Sequence, residues 1–193
     1  MTSELTSELT SELTQGVPSG VQPPIQDTQG PAGIDPRLFR RVFGRFATGV
    51  TVMTTTADGQ DHAMTANSVT SVSIEPLQVL ACVHVDSRFH DAVLDAGVWG
   101  VSILPSAARG IADWLATRGR PVQGQLDRVP HTRGPVTGVP LLDDALAHLE
   151  CRTTAVHAAG DHAIIVAEVV GLEAPDEPGA ALVFYRGEYR SLE

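Results

Sequence analysis

The sequence has no lysine: all 13 basic residues are arginine, and 23 acidic residues leave a formal charge of -10 over 193 positions. So little positive charge argues against a nucleic-acid protein, whose phosphate contacts need a clustered basic surface. The missing lysine itself reflects coding bias and implies no mechanism. Cysteine is almost as scarce. Cys82 and Cys151 each sit in an apolar run, where a free thiol behaves as a small hydrophobe, so no disulfide is expected. No apolar run approaches the roughly 20 residues of a membrane helix, and no basic segment followed by an apolar one opens the chain. The expectation is a soluble, cytoplasmic protein with no membrane contact.

The signatures of two kinds of site are also missing. The seven histidines are scattered, neither cysteine belongs to a Cys-x-x-Cys pair, and no His-Glu-x-x-His helix occurs, so no metal is expected. There is neither a Gly-x-Gly-x-x-Gly turn nor a Walker loop. Any nucleotide would have to be held without a Rossmann or P-loop scaffold.

What is present is globular composition, 42% apolar and 19% charged, enough for one domain with a sizeable core. That domain starts late. Thr-Ser-Glu-Leu occurs three times between Thr2 and Leu13, and Gly, Pro, Gln and Ser dominate through Gly33; residues 1–33 read as a disordered low-complexity tail and 34–193 as the domain. Leu5, Leu9 and Leu13 can line one helical stripe, but one residue per turn is too narrow to bury much.

Asp35-Pro36 offers an N-cap and a proline at the first helical position, and Leu38, Phe39, Val42, Phe43 and Phe46 follow at helical spacing, so a first amphipathic helix is expected to end near Gly49. Val50 to Thr56 reads as a strand, Asp58-Gly59 as a hairpin turn, and His62 to Asn67 as its partner. Leu77 to Val85, nearly all apolar, reads as a central strand. Ser87 caps a short helix over Phe89 to Leu94, Gly97 to Leu104 returns as a strand, and Ser106 to Ala116 looks helical. Thr117 to Pro140, rich in Gly, Pro and Arg, reads as a long surface loop, a kind of segment that is often functional. Strands over Leu146 to His157, Ala163 to Leu172 and Ala181 to Tyr185 bring the count to six or seven, against three short helices. The class is mainly β, an antiparallel barrel or sandwich with helical decorations.

Six Ser, Thr or Asn residues between Thr65 and Ser73 lie among strand-forming runs. They suit either a polar ligand or a turn in solvent. Ser87-Arg88 with His90 is an anion site or a simple helix cap. Gly160-Asp161-His162 is a charged strand mouth or a turn in which Gly160 supplies a positive φ. Phe184-Tyr185-Arg186-Gly187-Glu188-Tyr189 can stack on a ring and bind phosphate, or close a sheet edge.

In order and spacing, Ile34-Asp35-Pro36-Arg37, Gly44-Arg45-Phe46-Ala47-Thr48-Gly49-Val50-Thr51-Val52, Met64-Thr65-Ala66-Asn67-Ser68, Ser71-Val72-Ser73 with Glu75-Pro76, Ser87-Arg88 with His90, Pro140-Leu141-Leu142-Asp143, Leu149-Glu150-Cys151, Gly160-Asp161-His162 and Phe184-Tyr185-Arg186-Gly187 resemble the short-chain flavin reductase family. Its members are the reductase partners of two-component flavin-dependent monooxygenases. The resemblance runs from Ile34 to Leu192 and implies an FMN-binding split barrel of antiparallel Greek-key type, usually a homodimer. It implies that Thr65, Ala66, Asn67, Ser68, Val69, Thr70, Ser71 and Ser73 hold the flavin ring and ribityl chain, and that Ser87, Arg88 and His90 hold its phosphate. His162 would be catalytic and, with Tyr185, Arg186 and Tyr189, would line the nicotinamide side. The implied reaction is hydride transfer from NADH or NADPH to FMN or FAD, the reduced flavin then passing to a separate monooxygenase. Two rival readings are a tightly bound flavin acting directly on an organic substrate and a non-catalytic flavin-binding module.

Overall fold

A computed structural model describes residues 33–121, 123–175 and 179–192. The tail expected over 1–33 lies, Gly33 apart, outside the described residues. Helix α1 spans Pro36–Phe43, with the Asp35 carboxylate accepting from the Arg37 N–H. It stops at Gly44 rather than near Gly49, because the chain tightens there: Gly44 N–H donates to Arg40 O, and Arg45 and Phe46 bond three residues back. None of α1 is buried.

The strands are β1 (Thr48–Gly49), β2 (Thr51–Ala57), β3 (Gln60–Ala66), β4 (Thr70–Ile74), β5 (Leu77–His84), β6 (Val98–Ile103), β7 (His131–Arg133), β8 (Pro140–Leu142), β9 (Ala147–Ala159), β10 (His162–Glu173), β11 (Ala181–Tyr185) and β12 (Glu188–Leu192). Helix α2 (Arg88–Ala96) precedes β6, and α3 (Arg109–Ala116) follows it after a 3-10 turn at Ser106–Ala108. Seven strands form one sheet in the order β3-β2-β6-β9-β10-β5-β4, three form β1-β11-β12, and β7 pairs with β8. Every pairing is antiparallel, as the mainly β reading requires. Asp58 and Gly59, at φ 50° and 71°, make the primed turn that suits the twist of the β2–β3 hairpin.

Three expectations need correction. Twelve strands stand among the described residues, not six or seven, because short or polar ones escaped the pattern. β5 is second from an edge, not central: Val79, Ala81 and Val83 point into the core while Leu80, Cys82 and His84 face the other side half-buried. The segment from Thr117 to Pro140 is not simply a surface loop, since it contains β7 and buries Gln125, Leu126, Val129 and Val139.

Two cores flank the large sheet. Phe89 and Val93 of α2 pack with Met53, Trp99, Val101 and Ile165; Val50, Val52, Leu104, Leu115, Leu142 and Leu182 fill the space beneath α3 and β11. Each such side chain contributes about 1.5–3 kcal/mol on burial, and together they seat α2 on β2 and hold α3 against the sheet beside β3. Cys82 and Cys151 are free thiols, and burial, followed by the charge of Glu150, pushes Cys151 up to about 12. No helix among the described residues is long and apolar enough to cross a membrane.

Candidate functional site

A cavity of about 520 Å³ lies where three elements meet: His62 to Thr65 of β3, the start of α2 with Ser87 and Arg88, and the segment after α3 holding Thr117 to Arg120 and Gln125. Ser87 starts α2 by accepting from the His90 N–H at 3.2 Å, which turns the positive end of the helix dipole toward the cavity. After α3 ends, Gly119 takes a φ of 76°, a left-handed turn that glycine adopts freely. Arg118 and Arg120 on its two sides therefore both reach the wall.

The loop is fastened by backbone carbonyls. Arg120 donates to Ala63 O and, at 2.9 Å, to Thr117 O, while Arg88 Nη2 donates to Arg120 O at 2.5 Å. Gln125 Oε1 accepts from the Ala63 N–H at 3.1 Å. Burial, and next the Arg88 charge, lowers the pKa of Arg120. Burial lowers that of His62 as well, Asp61 opposing it and Arg88 reinforcing it. His62 Nδ1 and Arg120 Nε are buried without a hydrogen-bond partner among the described residues. Guanidinium groups at a helix N-terminus suit a phosphate.

His84 lines the same cavity and pairs in register with His162. Asp86 N–H donates to His84 Nδ1 at 3.1 Å, so the proton of a neutral His84 sits on Nε2. His162 Nδ1 lies 2.7 Å from Asp161 Oδ1, which assigns the proton there and leaves Nε2 free. The hydrogen bond from His162 is the main reason the Asp161 carboxyl is held below its ordinary range.

The expected site residues fall into three groups. Thr65, Ser87 and Arg88 line the cavity, although the Thr65 hydroxyl donates to Ala112 O at 2.8 Å and so anchors α3. His162 stands behind the cavity-lining His84. The hydroxyl-rich stretch does not form one cradle there: Ala66 is buried in the core, Asn67 Nδ2 donates to Thr48 Oγ1 at 3.2 Å, and Ser68 Oγ donates to Cys82 O at 2.9 Å. Val69 packs on the core, and Thr70, Ser71 and Ser73 belong to β4, an edge strand. His90 contacts Asp91 at 2.9 Å on α2, away from the cavity lining.

Tyr185, Arg186 and Tyr189 sit on the β11–β12 hairpin, outside that lining as well. Arg186 N–H donates to Gly44 O at 2.7 Å, and the Tyr189 ring packs on Phe184 with centroids 5.6 Å apart. Burial raises the Tyr189 phenol, as does the Asp113 charge. Because β1 pairs with β11 and Thr48 holds Asn67, the hairpin and Asn67 share one side of the molecule.

Sequence reasoning missed His62, His84, Arg118 and Arg120. The two arginines astride Gly119, in a segment rich in Gly, Pro and Arg, were the available signal.

A family model described as a flavin reductase-like domain matches residues 43–193. An NADH-dependent flavin reductase of Rhodococcus sp. is 39% identical over 164 residues, covering 83% of this chain and 88% of that protein. The flavin reductase component of a bacterial two-component tryptophan halogenase superposes with a TM-score of 0.77 at 43% identity, covering 82% of this chain and 98% of that one. An NADH:FAD oxidoreductase of Streptomyces globisporus, solved with NAD and FAD fragments, gives a TM-score of 0.75 at 36% identity, with 81% and 94% covered.

Proposed function

The chain belongs to the flavin reductase-like family, and we propose from that premise that it transfers hydride from NADH to FMN or FAD and supplies the reduced flavin to a partner monooxygenase. The split-barrel fold is that of the family. The observation that carries the reading at the level of residues is that Thr65, Ser87 and Arg88, singled out for a flavin on sequence, line one cavity within the matched region.

The flavin, when bound, accepts the hydride at its ring, and donor and acceptor carry the redox chemistry between them. The chain has to bind and orient. Arg88 and the start of α2 neutralise phosphate charge. Asp161 holds the His162 proton on Nδ1, so that Nε2 can accept a hydrogen bond from the nicotinamide carboxamide and fix its ring for transfer, a positioning effect rather than acid-base catalysis. Tyr185, Arg186 and Tyr189 would complete the nicotinamide side, and Asn67 with Ser68 to Ser73 the side of the flavin ring.

We take the working form to be a homodimer. Phe39 and Phe43 on α1 are 59% and 61% exposed, Phe46 just beyond the helix 66%, and Ile74 on the edge strand β4 84%, a concentration of large apolar side chains that marks an interaction surface. A second copy would cover it and enclose the side where Asn67 meets the hairpin. The folded unit is taken as residues 34–193. We take its location to be the cytoplasm, a reducing compartment that suits two free thiols and a nicotinamide substrate.

Purified protein should oxidise NADH, read at 340 nm, only when free FMN or FAD is added. Absence of flavin-dependent oxidation would reject the assignment.

A further inference from the structure

We propose that Arg118 and Arg120, together with Arg88, form a subsite for the diphosphate of a dinucleotide, which would make FAD rather than FMN the preferred flavin. The inference rests on the flavin reading above and deepens it. A mononucleotide carries a single phosphate, for which Ser87 and Arg88 already suffice. The cavity wall nevertheless brings up two more guanidiniums from one loop. Arg88 and Arg120 are partly spent on backbone carbonyls, but Arg118 brings a third guanidinium to the same wall, and three positive charges so close together are favoured by an anion between them.

Their states differ in an informative way. Arg120 is tied to backbone carbonyls by its terminal nitrogens, and its Nε–H is buried without a partner. Arg118 is exposed, lines the cavity, and has no hydrogen bond or ion pair among the described residues. The positive φ of Gly119 is what sets both on the same wall. Asp86 is the one carboxylate among the lining residues, and the cavity volume lies in the range of small-molecule sites. Forked guanidiniums match phosphate oxygens two at a time, so adjacent arginines suit adjacent phosphates.

FAD and NADH both carry a diphosphate, and the test separates them. Affinities for FAD and FMN are read by fluorescence quenching, and KM is compared for NADH and reduced nicotinamide mononucleotide, in the wild type and in Arg118→Gln. Arg118 supports no other part of the fold, so an unchanged melting temperature is expected. Wild type should prefer FAD, and Arg118→Gln should weaken FAD about tenfold while FMN stays within about twofold. A comparable rise in KM for NADH alone, with both flavins unaffected, keeps the diphosphate subsite but overturns the FAD preference, assigning the diphosphate to the nicotinamide dinucleotide. Unchanged values for both dinucleotides, or equal losses on each dinucleotide and its mononucleotide, overturn it. A wild type that binds neither flavin instead rejects the reductase reading itself.

Discussion

His162 lies directly opposite His84 across the β10–β5 ladder, with ring centroids 5.1 Å apart at an interplanar angle of 68°. Asp161 reaches both rings, 2.7 Å from His162 Nδ1 and 3.8 Å from His84 Nε2. The carboxylate thus orients His162 by a hydrogen bond, while the His84 ring on the cavity wall is held by the Asp86 N–H.

That geometry separates the two substrates. His162→Ala is expected to raise KM for NADH about tenfold, or slow hydride transfer by as much, while flavin affinity stays within about twofold. Initial rates and flavin titration check this; an equal loss of flavin affinity would put His162 in the flavin site.

The Asp161–His162 bond also has a pH signature. The Asp161 carboxyl titrates lower in the native state than at its unfolded value of about 3.9. Its ionised form therefore stabilises the fold above that pH, and the contribution fades as pH falls through the native value. His162→Ala removes the largest cause. The gap in urea midpoint between wild type and His162→Ala should narrow from about pH 5 to about pH 3; a gap that widens toward acid contradicts this.

Glu150 is buried at 3% exposure, and its carboxylate accepts from Val136 N–H, from Thr137 N–H at 2.6 Å and from Thr137 Oγ1 at 2.6 Å. These bonds close the β7–β8 turn onto β9. Glu150→Gln points an amide donor at backbone donors and should cost about 1–3 kcal/mol of stability, without changing flavin affinity. Thermal or urea denaturation measures the first, titration the second.

The uncovered face of α1 predicts a change of mass in solution. Wild type should elute as two chains, and Phe39→Glu with Phe43→Glu should shift it to one, measured by light scattering; a monomeric wild type would remove the dimer.

Much of this architecture was legible because the chain signals it locally. The β-branched run of β2, the Asp58-Gly59 turn and the Ser87 cap each have one dominant local cause. β4 was hidden because Thr70, Ser71 and Ser73 give an edge strand the composition of a loop, and the register of β5 because both its faces are apolar. In the site, Arg88 was visible beside a cap. Arg118 and Arg120 were not, since their loop is shaped by tertiary bonds to Ala63 rather than by any period. His84 was invisible for the same reason: its neighbour His162 arrives only through the pairing of β5 with β10.

The central claim is that flavin enters, is reduced and leaves. An initial-rate series varying NADH and flavin together, on protein passed through gel filtration, tests it most directly. Flavin-free protein and intersecting reciprocal plots are the expected result. Stoichiometric flavin retained through the column, with parallel plots and turnover of an organic acceptor, would contradict it.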